Sequence, residues 1–154
     1  MGARPCRLKA ISYQLVEGLQ RKGLSPEEWL CQVVEQRINA IFSDGPTGWF
    51  PRLIHHEIHN QTPYFNDIRK TFLSAIRVGI AKQISIYFGP QATPFQIETA
   101  VAGMTGFLPM VIEMREHRKT TLKAQEIKQL IQQLQTYVLG GLAAVKRLID
   151  EETT

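Results

Sequence analysis

The residues best suited to chemistry stand in one run, Leu53-Ile54-His55-His56-Glu57-Ile58-His59. On a helix, His55 and His59 lie one turn apart on a shared face, and His56 and His59 are three apart. Two imidazoles at that spacing can bind one zinc ion. A zinc hydrolase needs more than this. No Glu directly follows the first histidine of the pair, so HEXXH is absent. No third ligand and no catalytic base stands nearby in the sequence. The run is expected to be a helix with one or two histidines on a polar or pocket-lining face. No metal is expected, and metal binding through His55, His56 and His59 is the alternative.

Other catalytic patterns are missing. No GxSxG nucleophile elbow and no glycine-rich phosphate loop is present. Gly103-Met104-Thr105-Gly106 reads as a small-residue face within a helix. Glu57, Glu98 and Glu113 are isolated in sequence, so no carboxylate pair supports acid–base work. Cys6 and Cys31 form neither a CxxC pair nor a disulfide framework. Cys31 falls inside a helical pattern and reads as a small core residue. The chain is therefore expected to bind rather than to catalyse, and to use no cofactor.

Composition agrees. The 154 residues fit one domain, 44% are apolar, and the formal charge is only +4. The basic residues are spread out, apart from Arg115, Arg118, Lys119 and Lys123. That cluster reads as a solvated helix end, with Arg115 to Lys119 complementing the negative end of their own helix dipole. No secretory signal is evident, and no stretch reads as a membrane span. A cytoplasmic protein is expected.

The elements that must position these residues are clearly punctuated. Ser25-Pro26-Glu27-Glu28 and Thr93-Pro94-Phe95-Gln96 are capping boxes with Pro at the first helical position. Thr62-Pro63 is a third start. Ser43-Asp44-Gly45-Pro46 and Gly89-Pro90 are stops, and Gly23 is a left-handed helix terminator. Six helices are predicted: Arg7–Lys22, Pro26–Phe42, Thr47–Asn60, Pro63–Phe88, Pro94–His117 and Leu122–Glu151. No segment alternates as a half-buried strand would.

Two of these helices carry more apolar surface than their neighbours can cover. The fifth is apolar nearly all round, with small residues at Ala100, Ala102, Gly103 and Gly106, and Pro109 is expected to kink it. The sixth repeats apolar residues at helical spacing and is interrupted by Gly140-Gly141. Each glycine there costs about 1 kcal/mol against Ala, so close approach of a partner helix is the simplest reason for the pair. A twofold homodimer through a four-helix interface is expected. Its face would hold Val101, Leu108, Ile112, Leu130, Leu134, Tyr137, Val138, Gly141, Leu142 and Val145. A small apolar ligand would sit among the third to fifth helices, lined by Trp49, His56, Phe72, Ile76, Met104 and Phe107.

Three stretches together resemble a known family: Ser25 to Leu30, then Phe50 to Pro63 with Leu53, Glu57 and Thr62-Pro63 spaced as Leu-x-x-x-Glu-x-x-x-x-Thr/Ser-Pro, then the small-residue helix around Gly103. The chain is similar, from about Arg7 to Leu148, to the C-terminal effector-binding and dimerisation domain of TetR-type transcriptional regulators. The resemblance implies an all-α fold of six helices, the last two forming the dimer's four-helix bundle. It also implies a small-molecule pocket among the middle helices and control of transcription as a repressor. The helix-turn-helix of such regulators is not found here. Residues 1–24 are expected to be a linking helix, the remnant of the connection to that head, and residues 25–154 the ligand-binding and dimerisation domain. DNA would be reached only through the absent head, and no membrane is expected as partner. A structural dimerisation module with no ligand is a second reading.

Overall fold

A computed structural model of the chain describes residues 23–60, 62–68, 70, 74–118 and 120–154. Side chains at 46, 47, 49–51, 58, 64, 65 and 68 are not described. The expected first helix, Arg7–Lys22, and the linking role given to residues 1–24 fall almost wholly outside these residues. Gly23 has φ of 57°, the left-handed conformation its terminator role requires.

Seven helices lie among the described residues: α1 (Pro26–Phe42), α2 (Pro46–Asn60), α3 (Pro63–Ile68), α4 (Ser74–Phe88), α5 (Pro94–Thr105), α6 (Phe107–His117) and α7 (Ala124–Glu152). No strand occurs among them. Both capping boxes form. The Ser25 hydroxyl accepts from the Glu28 amide at 3.2 Å, and Glu28 Oε2 accepts from the Ser25 amide at 2.8 Å. Thr93 and Gln96 repeat the exchange at 3.2 and 2.8 Å. Each box satisfies two amide donors that the helix itself leaves unpaired.

The segment expected as one kinked helix over 94–117 runs as α5 and α6, interrupted only at Gly106. Gly106 itself keeps a right-handed helical backbone, and its amide donates to the Ala102 carbonyl at 2.9 Å, so the two halves stay continuous through the expected disturbance. Pro109 explains the position. It has no amide to offer the Thr105 carbonyl, and its ring would collide with that group. The interruption therefore follows Thr105, and Pro109 occupies the tolerant first turn of α6. The segment expected as one helix over 63–88 is described in two parts, α3 and α4.

Helix α1 is the hub, packed by α2, α4, α6 and α7. Leu30, Val34, Ile38 and Ile41 form its buried stripe, facing Ile80, Ile84 and Phe88 of α4. Gly79 lets α4 approach Trp29, where a Cβ would already stand 3.4 Å from the indole. The far end of α7 is held over the α4–α5 turn by polar bonds. Gln91 Nε2 donates to Asp150 at 2.7 Å, and Lys146 Nζ reaches the Phe88 carbonyl at 3.5 Å. Nearer its start, Gln135 Nε2 donates to the Cys31 carbonyl of α1 at 3.0 Å.

Arg115 does not serve the end of its own helix, as its sequence position suggests. Its guanidinium crosses to the C-terminus of α1, donates to the carbonyls of Ile41 and Ser43, and lies 3.6 Å from Asp44. The end of α1 supplies the negative dipole pole that its charge complements. Replacing Arg115 by Met leaves those carbonyls with no donor in a half-buried corner. The variant is expected to lose about 2 kcal/mol of unfolding free energy in urea titration. An unchanged midpoint would show the contact to be idle.

Arg37 is the opposite case. It is half-buried on α1, has no ion-pair partner among the described residues, and burial pushes its pKa down from the usual guanidinium range to about 10. The folded state thus sheds this proton before the unfolded state does. Stability contributed by this group rises as pH climbs above about 10, and the penalty is fully present below that. Arg37→Met is expected to be more stable than the parent by on the order of 1 kcal/mol at neutral pH. The advantage should shrink at pH 11. Thermal melts of both proteins at the two pH values check this, and a destabilised variant at neutral pH would show that Arg37 has a structural partner.

Candidate functional site

Helices α5 and α7 cross to leave a groove of about 680 Å³, open along one side. Its α5–α6 wall is Phe95, Gln96, Thr99, Ala100, Gly103, Met104 and Phe107. Its α7 wall is Leu134, Tyr137, Val138, Gly141, Leu142 and Val145. The only polar side chains on the α5–α6 wall are Gln96 and Thr99, at the Phe95 end. Two large rings stand out into solvent on either side, Phe95 at 75% and Tyr137 at 78% exposure. Met110 and Leu148 are likewise exposed.

The glycines of these helices differ from Gly79. A Cβ built on Gly103, Gly140 or Gly141 would meet nothing within 4 Å. None of the three is needed for packing inside this chain, and none has a positive φ. Each still carries the helix-weakening entropy of glycine.

The residues expected at the partner face divide into two groups. Leu134, Tyr137, Val138, Gly141, Leu142 and Val145 line the groove, and Leu108 and Leu130 are half-buried. Val101 and Ile112 are 3% and 5% exposed, so they belong to the chain's own core, and Leu142, at 5%, serves both the core and the groove. They sit on the inner side of the α5, α6 and α7 stripes, which are wide enough to serve the core and still leave an apolar outer edge.

The residues expected around a ligand are not brought to one place. Ile76 is in the core under α1, while Met104 and Phe107 border the α5–α7 groove. The His56 side chain is 68% exposed, and its Nδ1 lies 3.8 Å from Glu57. Phe72 and the Trp49 side chain lie outside the described residues. Glu57 is buried, and its carboxylate accepts the Thr62 hydroxyl. The Glu-x-x-x-x-Thr-Pro spacing is thereby a structural corner that ties the end of α2 to the start of α3.

Sequence reasoning missed two features. Glu113, isolated in sequence, comes from α6 to stand 3.8 Å from His55 Nε2. The 94–117 segment is also long and apolar enough, by length and composition, to cross a membrane, contrary to expectation, and only 28% of its apolar window is buried within the chain. Cys31 is half-buried, and burial, with Glu27 and Glu35 adding to it, raises its thiol pKa, which suits a structural residue. Compared with family models, curated protein sequences and solved structures, this chain matches none.

Proposed function

We propose that the chain is a dimerising regulatory domain of TetR-like build, pairing with a second copy of itself through the α5–α7 groove. The observation that carries this reading is the combination of Gly103 and Gly141, open to solvent on the groove walls, with Phe95 and Tyr137 projecting beside them. Projecting rings and side-chain-free hollows on one surface are what a twofold interface needs, because each copy must supply both the knob and the hole. Backbone approach at glycine also offsets the helix-weakening that these positions carry in the monomer.

On this reading the domain senses a small apolar molecule, and in a full-length relative its binding would pass through the helix pair to a DNA-reading head. Met104 and Phe107, which border the groove, would feel both events. The uncovered apolar surface of 94–117 has an alternative occupant in a lipid bilayer. The interruption at Gly106 and the charged Glu113, Arg115 and Glu116 on α6 favour a protein partner. Sedimentation equilibrium tests the proposal. Twice the 17.5 kDa chain mass is expected at tens of micromolar, with no binding to neutral phosphatidylcholine vesicles. A monomer that floats with vesicles would assign the face to lipid instead.

A further inference from the structure

We infer that His55, His59 and Glu113 form a binding site for one divalent transition-metal ion of zinc's class, clipping α2 to α6. The three side chains each offer a ligand atom, and these atoms all lie within 4.8 Å of one another. The imidazoles of His55 and His59 sit one helical turn apart, with ring centroids 4.5 Å apart. The carboxylate arrives from a different helix, with Oε1 3.8 Å from His55 Nε2. Ligands on a tetrahedral zinc, at bond lengths near 2.0–2.1 Å, stand about 3.3 Å from one another. The three ligand atoms stand at most about 1.5 Å beyond that spacing.

The tautomer supports the same assignment. His59 Nδ1 lies 2.9 Å from the His55 carbonyl, a group that can only accept. Nδ1 must therefore carry the proton, which leaves the Nε2 lone pair of the neutral ring free for a metal. Metal-bound histidines are commonly oriented by such a bond from their other nitrogen. Two imidazoles and a carboxylate suit zinc, cobalt or nickel better than magnesium or calcium, which prefer oxygen donors alone. Three protein ligands leave one position for water or an exogenous donor. His56 plays no part, because it points into solvent and meets Glu57. Loading the site would add a second tie between α2 and α6, helices that already touch, and α6 continues into the α5 wall of the groove.

The test uses the 154-residue chain without a polyhistidine tag, stripped with chelator and titrated with zinc chloride in a calorimeter. Cobalt replaces zinc in a parallel absorbance titration. One zinc per chain is expected, with a raised melting temperature and the visible absorption of a four-coordinate cobalt site. His59→Ala and Glu113→Gln are each expected to weaken binding roughly tenfold or more, and His56→Ala to leave it unchanged. Glu113→Gln keeps size and hydrogen-bonding capacity, so it remains informative if His59→Ala fails to fold. No zinc binding at millimolar metal overturns the site. So does equal loss in His56→Ala and His59→Ala, and so does unaltered binding by Glu113→Gln, which would mean that the carboxylate is not a ligand.

Discussion

Gly141→Glu is expected to convert the dimer to a monomer at every accessible concentration while making the isolated chain no less helical. A Cβ at position 141 meets nothing within 4 Å, so the monomer accommodates the new side chain freely. Replacing a helix-interior glycine by a good helix former stabilises the monomer by up to about 1 kcal/mol. On the proposed pairing, the same position is where two helices approach closely. Two carboxylates then meet across the twofold axis in an apolar setting, which should cost several kcal/mol and weaken association by about a hundredfold or more. Gln132→Glu, exposed on the opposite side of α7, adds the same charge and should leave the dimer intact. For Gly141→Glu the sedimentation profile must fall to the monomer mass while the helical circular dichroism is kept. A dimer that tolerates the substitution would place the interface elsewhere.

The second large effect is expected at Gly48. This residue is buried at the start of α2, and its backbone rests on the end of α1. A Cβ there would fall on the Ser43 carbonyl, standing only 2.7 Å from its carbon and 3.3 Å from the Ala40 oxygen. Those neighbours are backbone and cannot rotate away. They belong to the same corner that Arg115 ties down through Ile41 and Ser43. Gly48→Ala therefore has to push α2 off α1 and disturb the Arg115 bonds together, at a cost of about 3 kcal/mol or more. Urea titration measures it. Because α2 carries His55 and His59, zinc affinity should fall in the same variant. Gly45→Ala, three residues away with no neighbour closer than 4.0 Å, is the control and should change little.

Much of the fold was legible because its signals are local. The Ser25 and Thr93 boxes each need only four residues of sequence, and α1 begins and ends where Ser25 and Ser43 indicate. The stripe of Ile76, Ile80, Ile84 and Phe88 is likewise a property of one helix, and all four are buried. What was not legible depends on two helices meeting. Arg115 looks like the cap of its own helix until α6 is packed against α1. Glu113 looks isolated until α6 crosses α2, although 54 positions in the chain separate it from His59. The disturbance at Gly106 was legible, since Pro109 has no amide to offer the Thr105 carbonyl. Val101, Ile112 and Leu142 show the remaining ambiguity. A periodic stripe states that a face is apolar and does not say whether the chain's own core or a second copy covers it.

Hydrogen exchange compared between dilute and concentrated protein tests the pairing of copies most directly, because it reports where association protects the backbone. Helix amides already bonded within the monomer gain protection only where local opening is suppressed by a partner. If two copies meet in the groove, concentration should slow exchange in α5 from Phe95 to Met104 and in α7 from Leu134 to Val145, around the weak point at Gly140-Gly141, and leave α2 and α4 unchanged. Slowing confined to α2 or α4, or no change across the groove while the mass doubles, would contradict it.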